Sequence, residues 1–158
     1  MLKTKHSQGG MTLVEAMIAL LVISVGLLGI ASLQLTAMSQ NTSSLNHSKA
    51  VWLAYNMYDR VIANNVQFDN YNGIDSNNSY NGDCMNNTCT PAQMITADAD
   101  EWTTLLDDLP GGEGTVNLTA DGLVITVMWD DEGTGANVRG CGNNPDVDLT
   151  CYRMVVSR

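Results

Sequence analysis

From Met11 to Leu35 the chain carries a single charged residue, Glu15, and no proline. Rising 1.5 Å per residue, a helix over this run would be about 37 Å long, enough to cross a hydrocarbon core. In lipid every backbone N–H and C=O needs an internal partner, so a lone spanning segment has to be helical. The carboxylate is the anomaly. An ionised side chain deep in lipid costs at least ~3 kcal/mol on insertion scales. Glu15 therefore lies near the interface, where the cost falls, or it meets a cation that this chain does not supply in sequence.

Charge is uneven on the two sides of the run. Lys3, Lys5 and His6 precede it. Positive residues stay cytoplasmic, so the part C-terminal to the run crosses to the other side. Beyond Leu35, sixteen acids stand against Lys49, Arg60, Arg139, Arg153 and Arg158, which puts this part near −11. Such a body repels nucleic-acid phosphates and is not expected to bind nucleic acid directly. All four cysteines, Cys84, Cys89, Cys141 and Cys151, fall in the exported part. An even number in an oxidising compartment reads as disulfides, and the tight CxxC spacing of a zinc knuckle is missing. No metal and no cofactor is expected.

The helix is expected to run on, from about Thr12 to about Ala63. Val51, Tyr55, Tyr58 and Ile62 recur at i, i+4, i+7 and i+11, which predicts the face that packs on a globular head. His47 reads as solvated. Asn64 to Thr90 is rich in Asn, Gly and Ser and reads as a long loop stapled by Cys84 and Cys89. Asp75, Asn77 and Ser79 alternate like calcium ligands, but neither the glycine nor the closing Glu of a calcium loop follows.

PAQMITADADEWTTLLDDLPGG reads as a short helix, with Asp98 and Glu101 as its capping pair and Trp102, Leu105, Leu106 and Leu109 as its apolar face. GTVNLTA and LVITVMWDD flank Asp121-Gly122 and read as a β-hairpin. CYRMVVS is a last strand, preceded by a loop that a Cys141–Cys151 disulfide closes; the remaining pair is Cys84–Cys89. This order predicts an α+β fold, a long N-terminal helix packed on a small antiparallel sheet.

Two forms of processing compete for the N-terminus. Gly29 and Ala31 could serve a secretory signal peptidase, which leaves Glu15 unexplained. The other uses Gly10. A short basic leader ending in Gly-Gly, followed by Leu13, Val14 and Glu15, resembles the class III leader of type IV prepilins. The resemblance implies cleavage by prepilin peptidase between Gly10 and Met11 and N-methylation of Met11. It also implies that Glu15 pairs with the N-terminal amine of a neighbouring subunit during assembly. The family usually has Phe where this chain has Met11.

CTPAQM, DEW, LPGGEG and ITVMWDDEG, in that order, resemble the minor pilins of the PilV family, the type IV pilus modification proteins. That resemblance implies three parts: a cleaved leader at 1–10, a transmembrane and filament-core segment at 11–35, and a periplasmic pilin head at 36–158. It implies a subunit held in the inner membrane, then built into a pilus at or near its tip. Its partners would be other minor pilins, the major pilin, prepilin peptidase and the inner-membrane assembly platform. The pilus would serve motility, adhesion or DNA uptake. A pseudopilin of a type II secretion system is the alternative. An enzyme is not expected: the chain has two histidines, one of them in the leader, and no GxSxG motif.

Overall fold

The computed structural model describes residues 12–157. The chain divides into two compact units, Met1–Asn41 and Thr42–Arg158. One helix, α1, runs through Leu13–Ala63. In the first unit it is the one described element, and its Leu, Ile, Val and Met side chains are exposed throughout. Nothing in this unit buries them, as expected of a segment whose apolar surface is matched to lipid or to other helices.

The second unit holds the rest of α1, a 3₁₀ helix at Asn65–Tyr71, β1 at Ile74–Asp75, α2 at Pro91–Leu106, β2 at Glu113–Thr119, β3 at Gly122–Trp129 and β4 at Thr150–Val156. The strands form an antiparallel meander in the order β1-β2-β3-β4. Period-two alternation gives the sheet one core face. Rows such as Val116, Ile125 and Met154, or Gly114, Val127 and Tyr152, lie side by side in register. They pack with Ala50, Leu53, Ala54, Met57 and Val61 of α1 and with Ala99, Trp102 and Leu106 of α2 in one cluster. The fold is thus α+β, a long N-terminal helix with a small antiparallel sheet.

Three local expectations need correction. The stripe of Val51, Tyr55, Tyr58 and Ile62 is not the core face: Tyr55 is 50% and Ile62 39% exposed, whereas Ala50, Leu53, Ala54, Met57 and Val61 are buried. The two sets share one helical period but are rotated by about 100° per residue of offset. Ala50 and Ala54 win because small side chains let the helix approach its neighbours closely, and Tyr58 only packs against the edge of the cluster.

Asp98 does not cap α2. Thr90 does: its side chain accepts the Gln93 N–H, the Gln93 side chain accepts the Thr90 N–H, and Pro91 fills the first turn. Proline is favoured there because its missing N–H would have no helical partner. Asp98 lies two turns inside and is buried. Finally, Asn64 to Thr90 is not one long loop. Phe68, Tyr71 and Ile74 are buried in the core, and they carry the 3₁₀ helix and β1 with them.

The loop from Asp130 to Leu149 folds over the outer face of the sheet. Met128, Ala136 and Leu149 form a second, small cluster beneath it, beside the Cys141–Cys151 disulfide. The other disulfide joins Cys84 to Cys89.

Candidate functional site

The N-terminal end of α1 is built around Thr12 and Glu15. Thr12 Oγ1 accepts the Glu15 backbone N–H at 3.3 Å, and the Thr12 carbonyl accepts the Ala16 N–H at 3.1 Å. The Thr12 hydroxyl thus satisfies one of the donors that the first turn of a helix leaves without a partner, while its carbonyl accepts the first bond of the helix itself. In the sequence Thr12 stands only at the approximate start of the expected helix and is not named as its cap; the T-x-x-E spacing is the signal that finds that role. Glu15 sits in the first turn, where the helix dipole favours a negative charge. It is exposed, and so are Leu13, Val14, Met17 and Ile18 around it. A carboxylate therefore stands on an apolar helical surface with no cation of the described chain beside it. Gly10 and Met11, the expected cleavage and methylation positions, lie outside the described residues.

Two hydroxyls of the same segment are satisfied within the helix. Ser24 donates to the Leu20 carbonyl at 2.7 Å and Thr36 to the Ser32 carbonyl at 3.1 Å. These groups need no water, which suits a low-dielectric surrounding. By length and composition α1 is able to cross a membrane.

Three polar networks organise the head. At the first, Arg60 bonds Asp98 at 3.1 Å, Glu101 at 3.0 Å and Asn56 at 2.8 Å. The Tyr71 hydroxyl donates to Asp98 at 2.5 Å, and Asn64 donates to the Tyr71 hydroxyl at 3.2 Å and to the Pro91 carbonyl at 2.7 Å. Burial works against the Arg60 charge, but bonds to Glu101 and Asp98 outweigh it and hold the guanidinium above its ordinary pKa. Hydrogen bonding to Arg60 holds the Glu101 carboxyl below its usual value. Burial pushes the Tyr71 phenol up, and its bond to Asp98 adds to the shift.

At the second, Asp131 accepts from Ser43 at 2.5 Å, from the Trp129 indole at 2.9 Å and from Asn46 at 3.5 Å. This fastens α1 to the end of β3. His47, one turn on from Ser43, meets Trp129 and Tyr152 edge-on at 6.1 and 6.0 Å between ring centres, so it is exposed but not merely solvated.

At the third, Arg139 pairs with Asp75 at 2.9 Å and with Glu113. Asp75, one of the three residues with calcium-like spacing, is thereby occupied by a cation of the chain itself. Among the described residues no group of His, Cys, Asp or Glu is arranged to hold a metal ion.

A long helix with an exposed apolar N-terminal part, one carboxylate in its first turn and a small antiparallel sheet beside its C-terminal part defines a pilin-like subunit. Two family models match adjoining stretches of the chain: the prokaryotic N-terminal methylation motif over residues 5–31, and the Tt1218-like model, type IV pilin Tt1218, over residues 32–101. No curated protein and no solved structure matches it significantly. The two matches together span residues 5–101 and support a type IV pilin with a prepilin methylation motif, a component of a pilus or pseudopilus. That family is structural rather than enzymatic, and its motif implies processing by prepilin peptidase, anchoring in a membrane and assembly with other pilins.

Proposed function

We propose that the chain is a minor pilin of the PilV kind, which helps to prime type IV pili rather than building their shaft. In this reading prepilin peptidase cuts between Gly10 and Met11, and the new amine of Met11 is methylated. The apolar part of α1 holds the protein in the inner membrane with its head in the periplasm. Other minor pilins, the major pilin and the assembly platform then receive it, at or near the pilus tip. Motility, adhesion or DNA uptake depends on it through the pilus.

Glu15 carries the reading. It is the one charge between Met11 and Leu35, and it is exposed on an otherwise apolar surface. A bare carboxylate there is costly once the segment enters lipid or packs among like helices, and a cation opposite it offsets that cost. The N-terminal amine of a neighbouring subunit is such a cation. The methylation motif over residues 5–31 supports its availability.

Glu15→Gln tests this. Leader cleavage and membrane insertion should persist, and incorporation into sheared pili should fall at least tenfold. Incorporation at the wild-type level would leave Glu15 as a tolerated interfacial residue and sink the reading. Intact piliation with lost export of folded proteins in a deletion strain would point instead to a pseudopilin.

A further inference from the structure

The two edges of the sheet are unequal. β1 is only two residues long, and Arg139 reaches across to Asp75 and Ser76 beside it. β4 is seven residues long and, among the described residues, pairs on one side only, with β3. Its outer edge presents unpaired N–H and C=O groups, a template for a further strand. Tyr152, Met154 and Val156 point to the core, while Arg153 and Val155 point to the outer face and are exposed.

Register places Arg153 in one row with Thr126 and Thr115. These three help to line an open groove of about 540 Å³ on the outer face, and no carboxylate lines it. That is unusual on a head with sixteen acids. Of the two arginines in the groove, Arg139 is neutralised by Asp75 and Glu113. Arg153 has no ion pair among the described residues. An uncompensated cation in a groove of hydroxyls, beside a free strand edge, attracts an extended segment that carries a carboxylate.

We propose that β4 accepts an acidic, extended segment of a neighbouring pilin as a fifth strand, with a carboxylate of that segment opposite Arg153. Directly opposed residues in an antiparallel pair have Cβ atoms about 4.5–5.5 Å apart, close enough for this ion pair. That the partner is a pilin rests on the chain being a pilus or pseudopilus component; the partner's chemistry rests on β4 and Arg153 alone. A charge on an edge strand also guards against aggregation. Charge reversal separates the two roles, because a glutamate guards the edge as well as an arginine does but repels an acidic segment.

The experiment uses the full chain in its host, with a benzophenone amino acid in place of Val155 and, as a control two strands from the edge and outside the groove, in place of the exposed Leu118. The Val155 position should crosslink to an Asp- or Glu-containing segment of another pilin, identified by mass spectrometry of the joined peptides, and the Leu118 position should not. Arg153→Glu should cut the yield about tenfold, and Arg153→Lys should keep it within about twofold. Unchanged melting and intact disulfides establish that Arg153→Glu is folded; if it is not, Arg153→Gln takes its place, with a several-fold loss expected. Crosslinks that map to lipid or to an apolar helix, or a yield indifferent to Arg153→Glu, would overturn the proposal. Incorporation into sheared pili is scored in the same cells. Crosslinking without incorporation rejects the pilus-priming role and upholds the docking; incorporation without a crosslink at β4 rejects the docking alone.

Discussion

Arg60 of α1 and Asp98 of α2 meet at 3.1 Å with side chains only 17% and 10% exposed. Tyr71 and Asn64 close the polar circuit from the other side. One buried carboxylate thus joins α1, the 3₁₀ helix and α2. Removing one member of a buried ion pair costs about 3–5 kcal/mol, because the other charge is left without compensation. Asp98→Ala leaves Arg60 its bond to Glu101, so the lower end of that range is expected. Glu101 is exposed, and exposed pairs are worth up to about 1 kcal/mol. Urea unfolding of the detergent-solubilised protein, followed by tryptophan fluorescence, should rank Asp98→Ala far below Glu101→Ala. Equal midpoints would show that burial does not set the value of this pair.

That network and the turn around Asp130 together predict a pH dependence. The folded-state pKa values of Glu101 and Asp130 are depressed, Glu101 by its bond to Arg60. For Asp130, burial opposes the shift, but the backbone N–H groups of Gly135, Thr134 and Gly133 outweigh it. Depressed carboxyls stabilise the fold fully above their unfolded pKa of about 4 and lose that contribution as pH falls through the folded values. Tyr71 is shifted the other way. Its contribution is complete below an unfolded pKa of about 10 and is lost as pH rises further. Melting temperature should therefore be flat near neutrality and decline on both sides. Tyr71→Phe should flatten the alkaline decline while lowering the plateau, and Glu101→Gln should flatten part of the acid decline. An alkaline limb of equal steepness in Tyr71→Phe would remove Tyr71 from its cause.

Much of this architecture is legible in sequence where a period coincides with burial. Leu123, Ile125, Val127 and Trp129 alternate and line the core face of β3. Trp102 and Leu106 fall on one face of α2 and are both buried. Glu15 stands out by being alone. The failures have a common form: a period fixes that a face exists but not which face wins. Ala50-Ala54-Met57-Val61 and Val51-Tyr55-Tyr58-Ile62 repeat identically, and bulk favours the second while close approach favours the first. Asp98 has the type of a capping residue, but Thr90-Pro91 lies upstream with a better geometry. Phe68 and Tyr71 are spaced by three, the repeat of a 3₁₀ helix, in a stretch whose Asn and Gly content conceals it. Arg153 looks like any surface arginine until register places it in a groove without acids and tertiary contacts neutralise Arg139.

Gly114 shows how closely α2 approaches the sheet. A Cβ added there would lie 2.4 Å from Trp102 Cη2 and 2.7 Å from Leu106 Cδ1. Both neighbours are fully buried, and the Trp102 indole is also held by its bond to the Leu53 carbonyl at 2.9 Å. The ring cannot move away without breaking that bond. Gly114→Ala should destabilise the head by about 1–3 kcal/mol, the usual cost of overpacking. Gly133→Ala, at an open turn position with nothing nearby but a φ of +66°, should cost about 1 kcal/mol or slightly more, from backbone strain alone. Thermal unfolding of both variants separates crowding from strain. An unshifted midpoint in Gly114→Ala would mean that α2 has room to recede from β2.

Charge predicts copy number. A shaft built only of this protein would stack heads that each carry a net charge near −11. Exposed charges act over a Debye length of about 8 Å at physiological salt, and touching heads fall within it. Among the described residues only Arg153 and Lys49, which bonds the Asp108 carbonyl, carry cations without an ion pair, and two cations per head do not balance such an excess. Self-association is therefore opposed, while a single copy among less acidic subunits escapes most of the repulsion. The protein should be a small minority of sheared, purified pili when quantified against the dominant subunit, and it should need other pilins to enter them. Raising ionic strength should relieve the self-repulsion without changing the requirement for Glu15. A ratio near one-to-one, or filaments of this protein alone at physiological salt, would reject the minor-subunit reading.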